Sequence, residues 1–228
     1  MQFLKKYGGY FLVLGVLLDF FTPYYVGFKD QGYNQLTEVI SLLGDVNSPV
    51  RETFNHLTII AGMLMLASLP RIYAIFSRKT KKGAWLVVAM IGAYGLFDCI
   101  FSGLFSVDTS TAGTVAAALH NGGSAVGYTG FLLLSGVLTI IYSKYGSQKN
   151  KKLFGFLFIL CMLAAGLYGL ARIPQLQQVK PFNYLGLWQR VSSFCNYLPM
   201  LALCLQTKTN DKCSIKFVIG FLLVKIVW

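Results

Sequence analysis

Several charged residues interrupt stretches of the chain that are otherwise strongly apolar. Asp19 and Asp98 lie inside two such stretches, Arg190 lies inside the last one, and Arg172 closes the one before it. A charge at the centre of a membrane helix costs about 2.5–3.5 kcal/mol on insertion scales, so it usually faces a partner or a wet cavity. These four residues are therefore candidates for a binding or catalytic site.

The two histidines of the chain, His56 and His120, extend this set. Glu52 and His56 stand at i and i+4, so they share one face of a helix. A hydrolytic zinc site needs about three well-placed protein ligands, mainly histidine with a carboxylate. Because neither an HExxH motif nor a histidine pair at i and i+4 occurs, the sequence predicts no metal and no cofactor.

Nucleophilic catalysis is a second possibility for the same region. Ser106 or Ser110 could combine with Asp108 and His120 in a Ser–His–Asp arrangement. The chain contains no GxSxG motif, in which a sharp turn exposes the serine of many hydrolases. The catalytic residues, and whether the protein is an enzyme, are left open.

The segments that must position these residues are those of an integral membrane protein. Of 228 residues, 55% are hydrophobic and only 12% are charged, whereas soluble domains average about 25% charged residues. The apolar residues form blocks near the length of about 20 that crosses a bilayer. The predicted fold is an all-α polytopic bundle of six transmembrane helices in one domain, 1–206, followed by a tail, 207–228. The predicted spans are 8–27, 54–76, 84–105, 117–142, 153–173 and 185–206.

Basic residues predict the orientation of this bundle. They concentrate at the N-terminus, in two alternate connections and in the tail, as in Lys5, Lys81, Lys151 and Lys212. The positive-inside rule places these segments, and so both termini, in the cytoplasm. The predicted location is a cell membrane, the cytoplasmic membrane of a bacterium. Attraction to lipid headgroups accounts for the net charge of +12, so membrane lipids rather than nucleic acid are the expected partners.

Two further segments lie outside the predicted spans. Leu36, Val39, Ile40 and Leu43 recur at helical spacing in the first outer connection, which predicts a short amphipathic helix there. The tail segment 217–228 is apolar but too short to cross a bilayer. It is expected to lie at the inner surface as an interfacial segment.

The charged residues of the spans are matched in depth. At about 1.5 Å per residue, Asp19, Asp98 and Arg190 lie roughly 12, 10 and 8 Å below the outer ends of their spans. We therefore expect Arg190 to pair with Asp98, Asp19 or both in a polar pocket that opens outward. The alternative is structural, because buried ion pairs can simply fix the register of a bundle.

Four short motifs carry a resemblance to a known family. They are ISLLG at 40–44, SPVRETFN at 48–55, GLFSVD at 103–108 followed by His120, and GLWQRV at 186–191. In this order they resemble an uncharacterised bacterial six-span family, domain of unknown function 998, which is distantly like membrane proteins of the Frag/DRAM/Sfk type. The family pattern has proline where this chain has Ser106. The resemblance implies that Asp108, His120 and Arg190 belong to one outer cluster, and it supplies no activity.

Three functions fit these residues. The first is a binding protein that receives a lipid headgroup or another amphipathic anionic ligand, because the fork of an arginine accepts phosphate or carboxylate groups. The second is an intramembrane hydrolase, metal-dependent in one form, that uses His56, His120 and the acids. The third is a structural or assembly subunit with an unknown protein partner. The candidate ligand-binding residues are Asp19, Asn55, His56, Asp98, Asp108, His120, Arg172 and Arg190.

Overall fold

The computed structural model describes residues 1–106 and 115–206. Within these residues the chain is helical and contains no strand, which confirms the predicted all-α class. Asp108 and the tail segment 217–228, for which an interfacial position is predicted, lie outside the described residues.

Six long helices make up the described chain, and α3 contains a π-helical segment at Tyr94–Phe101. Side-chain caps begin two of them: the Thr80 hydroxyl accepts from the Gly83 N–H before α3, and the Ser147 hydroxyl accepts from Asn150 N–H before α5. The helices are α1 Gln2–Gly27, α2 Arg51–Phe76, α3 Lys81–Leu104, α4 Val115–Tyr145, α5 Gln148–Ala171 and α6 Leu185–Gln206.

Five of these helices, α1 to α5, are long and apolar enough to cross a membrane. Large apolar side chains on their outer faces are exposed, including Ile60, Trp85, Ile140, Phe156 and Leu163. Apolar surface of this extent is unusual on a soluble monomer, so the helices indicate a membrane-embedded protein. The sixth span remains a prediction, since polar residues from Gln189 to Asn196 lower the hydropathy of α6.

The helices form a closed ring. Each packs against its neighbours in the chain, and α6 packs against α1. The short connections after α2 and α4 bring lysines and arginines to one end of the ring, which we call the basic end; it contains Lys5, Arg78, Lys81, Lys144 and Lys151. Apolar side chains such as Met65, Ile91, Leu138 and Phe154 fill the ring toward that end. The opposite end, where the chain between α1 and α2 lies, is called the pocket end.

The connection between α1 and α2 does not contain the amphipathic α-helix expected from Leu36 to Leu43. A 3-10 helix, Ile40–Gly44, stands there instead, with Leu43 buried against Val26 and Phe54. The physical reason is that side chains form hydrogen bonds with the backbone of this segment. Side chains of Tyr33 and Arg190 bind the Glu38 carbonyl, and the Gln189 side chain accepts from the Ile40 N–H. These groups are then unavailable for a regular α-helical ladder.

Glycine at position 62 allows α2 and α3 to pack closely. A Cβ at Gly62 would stand 2.8 Å from both Cys99 Cβ and Ile100 Cγ1. We expect Gly62→Ala to destabilise the purified protein by about 1–3 kcal/mol, the usual cost of overpacking. The matched control is Gly166→Ala in α5, where no atom beyond the neighbouring backbone of the same helix lies within 4 Å of the added Cβ. Melting temperatures in detergent check the prediction, and equal values for the two variants would contradict it.

Candidate functional site

A cavity of about 670 Å³ lies at the pocket end of the ring. Its wall takes residues from all six helices and from the first connection, including Asp19, Thr58, Asp98, Tyr128, Tyr168 and Ser193. Ligand pockets in proteins commonly have volumes of about 300–1,000 Å³. The cavity is therefore large enough for a small ligand or a lipid headgroup.

Asp19 of α1 lies in the wall of the cavity and is only 8% exposed. Its Oδ2 accepts hydrogen bonds from Tyr94 Oη at 2.6 Å and from Tyr197 Oη at 2.5 Å. Cys99 Sγ lies 3.8 Å from the same oxygen as a third, weak donor. Since a buried carboxylate needs several donors to offset lost hydration, α3 and α6 together hold Asp19 in place.

Asp98 lies in the π-helical segment of α3. It is half-buried, and its side chain faces Ser124 of α4. Gly127 makes this approach possible, because a Cβ there would stand 2.6 Å from Asp98 Cβ. Single π-helical turns inside α-helices occur frequently at functional sites. The segment places Tyr94 and Asp98 in the cavity wall and Cys99 beside Asp19.

Arg190 does not form the ion pair predicted for it with Asp19 or Asp98. Within the described residues its guanidinium binds the first connection and its own helix. Nη1 donates to the carbonyls of Glu38 at 3.2 Å and Gly186 at 3.0 Å, and Nη2 donates to Tyr33 Oη at 2.7 Å. The three residues lie at similar depths in their helices, but depth carries no information about the direction in which a side chain leaves its helix.

Gly186 and Arg190 lie one turn apart on the face of α6 that meets this connection. A Cβ at Gly186 would stand 2.7 Å from the Gln35 carbonyl oxygen and would also overlap that of Glu38. The backbone joins the two segments as well, since Leu187 N–H donates to the Leu36 carbonyl at 2.9 Å. The glycine and arginine of GLWQR therefore fasten the connection over the pocket end.

Tyr33 completes this junction. Burial raises the pKa of the Tyr33 phenol, although the nearby Arg190 charge acts in the opposite direction. The phenol therefore stays protonated, accepts from Arg190 and can donate to the carbonyl of Val39 at 3.1 Å or of Glu38 at 3.2 Å. Tyr24 also contributes, because the guanidinium lies 5.7 Å from the centroid of its ring and equally far from that of Tyr33.

The other predicted site residues divide between the cavity and its surroundings. His120 lines the cavity, and its Nδ1 lies 2.9 Å from the Phe105 carbonyl. Arg172, the residue that follows α5, lines it near the surface and lies over the ring of Tyr168 at 5.8 Å. Asn55 instead donates to Ser106 Oγ at 2.9 Å. The structure thus brings together Asp19, Asp98, His120 and Arg172 but leaves Asn55, His56 and Arg190 outside the cavity wall.

The hydrolase hypothesis needs His56, His120 and the acids to lie close together. His56 is exposed on α2, so it does not share the cavity with His120. Among the described residues, no group of three or more histidine, cysteine, aspartate or glutamate side chains is placed to hold a metal ion. Asp108, the acid of the proposed Ser–His–Asp arrangement, lies outside the described residues.

The charged residues of the sequence do not indicate the aromatic side chains that line the cavity wall. Tyr94 stacks on Phe131 with ring centroids 4.1 Å apart, and Phe131 also packs against Tyr197 at 4.8 Å. Tyr128 and Tyr168 line the wall nearer Arg172. A signal was present in the sequence, because Tyr94 precedes Asp98 by one helical turn and Tyr197 lies well inside the last apolar stretch.

Comparison with protein families decides the relationship of the chain. A family described as "Protein of unknown function (DUF998)" matches residues 13–206. The chain belongs to the DUF998 family. The match covers nearly all of the ring from α1 to α6. A search of curated proteins found no match to this DUF998 protein, and a search of solved structures also found none. The more distant likeness to the Frag/DRAM/Sfk type remains a prediction.

Proposed function

We propose that this DUF998 protein is a ligand-binding protein of the cell membrane. Its cavity at the pocket end would receive a small amphipathic ligand, such as a lipid headgroup. The observation that carries the proposal is a cavity of about 670 Å³ with charged and hydroxyl-bearing walls inside a ring of apolar helices. Polar groups inside a membrane bundle are costly and typically serve a substrate or ion.

The distribution of packing favours a pocket over a channel. Toward the basic end the ring is filled by a continuous apolar cluster that includes Leu12, Ile72, Val87, Leu138 and Phe154. A pathway for ions or polar solutes would need polar groups along its whole length. The cavity therefore fits a protein that binds its ligand from one side.

The side from which the ligand arrives follows from the charges of the connections. Lysines and arginines crowd the basic end, so the positive-inside rule places that end in the cytoplasm and the pocket end outside. We propose this N-in, C-in orientation in the cytoplasmic membrane of a bacterium. Arg172 near the cavity mouth would then meet a phosphate or carboxylate group of the ligand.

Filling the cavity provides the test. Ala165 of α5 lines the cavity, whereas Met162 on the same helix is exposed on the outer face. We expect wild-type protein purified in mild detergent to carry a bound lipid or small amphiphile in native mass spectra, and Ala165→Trp to lose it. The matched control Met162→Trp should retain it, because that tryptophan would face the membrane.

Two results would count against the proposal. The first is wild-type protein without any bound species above the detergent background. The second is equal retention by the two tryptophan variants. A stable protein partner that survives extraction in place of a bound ligand would instead support the role of an assembly subunit.

A further inference from the structure

We infer that the cavity recognises an ammonium group at its inner end and an anionic group at its mouth. The ligand class would be zwitterionic aminoalcohol phosphates, either free or as lipid headgroups. This inference rests on the proposed function, since it assigns a chemical class to the ligand of the same cavity. It differs from the anionic ligand expected from the arginines of the sequence.

Charge is the first support. Asp19 and Asp98 both line the cavity, and in the described part of the chain neither forms an ion pair. Arg190, the cation expected to pair with them, binds the first connection instead. A pair of carboxylates in an apolar bundle attracts a positive counterpart strongly, because the surroundings screen their charge poorly. A ligand ammonium group can supply that counterpart.

Aromatic walls are the second support. Tyr94, Phe131 and Tyr197 pack against one another at the inner end of the cavity, next to Asp19. The faces of aromatic rings attract ammonium groups, and clusters of such rings bind quaternary ammonium ligands. Rings combined with carboxylates form the wall expected for an ammonium site, whereas a phosphate site needs N–H donors or cations.

Position gives the third support, because the charges are separated along the ring axis. Asp19 lies roughly 12 Å inside the end of α1 and Asp98 roughly 9 Å inside the end of α3, at about 1.5 Å per residue. Arg172 follows the last residue of α5 and is exposed. The wall is therefore acidic inside and basic at its mouth. A zwitterion with its ammonium group inward matches both charges, and a purely anionic ligand matches only one.

The test is a binding panel on the detergent-purified full-length protein. We expect phosphoethanolamine and phosphocholine to bind more tightly than glycerol phosphate, which has the anionic group but no ammonium. Asp98→Asn should weaken phosphoethanolamine binding roughly tenfold to hundredfold, the loss expected for a hydrogen bond to a charged group. Thr129→Ala is the control, because it removes an uncharged side chain from the same wall.

Arg172→Ala separates the two ends of the ligand. It should weaken phosphoethanolamine binding but leave the affinity for ethanolamine, which has no phosphate, unchanged. Nanodiscs distinguish the two sources of the head group. Retention of phosphatidylethanolamine over phosphatidylglycerol would indicate a lipid, and binding of free phosphoethanolamine alone would indicate a soluble ligand.

The outcomes keep this inference distinct from the proposed function. If glycerol phosphate binds as tightly as phosphoethanolamine, the ammonium site is wrong, although the cavity still binds a ligand. If none of the probes binds and Ala165→Trp leaves the bound species unchanged, the proposed function fails as well. The binding panel on wild-type protein decides whether the cavity has an ammonium site, even if Asp98→Asn does not fold.

Discussion

Arg190→Ala will leave little folded protein in detergent. Arg190 is 5% exposed, and its guanidinium makes three hydrogen bonds, to the carbonyls of Glu38 and Gly186 and to the phenol of Tyr33. Hydrogen bonds to charged groups contribute about 1.5–3 kcal/mol each, so losing all three should cost about 4.5–9 kcal/mol. That is a large fraction of the roughly 5–15 kcal/mol that stabilises a typical protein. Fluorescence-detected size exclusion after graded heating measures the effect.

Two further variants make this result specific. Arg172→Ala removes an exposed arginine that lies over a tyrosine ring, so its melting temperature should stay close to that of the wild type. Arg190→Lys retains the charge but cannot reproduce the planar fork that binds Glu38 and Tyr33 together. Its melting temperature should lie between those of Arg190→Ala and Arg172→Ala. An Arg190→Ala protein as stable as Arg172→Ala would show that the junction with the first connection is unimportant for folding.

The double variant Tyr94→Phe/Tyr197→Phe will be the second most unstable protein. It removes both hydroxyl donors from Asp19 while leaving the carboxylate in place. Leaving a buried charge without its partners typically costs about 3–5 kcal/mol. Melting temperatures of the double variant, and its abundance in membranes, should both fall well below those of the wild type.

A suppressor identifies the cause of that loss. Adding Asp19→Asn to the double phenylalanine variant removes the charge that lacks donors, so part of the stability should return. Tyr128→Phe serves as the control, because it deletes a single bond to the neutral Ser192 hydroxyl at 2.6 Å and should cost about 1 kcal/mol. A triple variant less stable than the double one would mean that packing of the rings, not the carboxylate, explains the loss.

The helical class of this protein could be predicted because each apolar block is long and its ends are marked by lysines or turns. The identity of the charged residues also pointed correctly to one end of the bundle. What could not be predicted was rotation about the helix axis. Arg190 and Asp98 have matched depths, yet Arg190 faces the first connection while Asp98 faces the cavity. A single sequence records distance along a helix, and the face that meets a neighbour depends on packing.

The structure of the first connection could not be predicted from the sequence either. Its spacing of Leu36, Val39, Ile40 and Leu43 is that of a helix, and the hydrogen bonds that prevent the helix come from residues about 150 positions away. Ser106 is a related case. Its hydroxyl accepts from Asn55 at 2.9 Å, so a hydrogen bond between residues 51 positions apart holds the end of α3.

The π-helical segment Tyr94–Phe101 has a consequence for how this pocket could change over evolutionary time. Each residue of a regular α-helix turns the chain by roughly 100°. Deleting one residue from a regular part of α3 would therefore swing its start by about that angle relative to its end. A π-helical turn already holds one extra residue, so a deletion there can restore a regular α-helix and leave the two ends of α3 facing as before. A deletion between Tyr94 and Asp98 would change the spacing of these two side chains in the cavity wall. A one-codon insertion or deletion could thus change the acidic wall of the cavity in a relative of this protein without repacking the rest of α3.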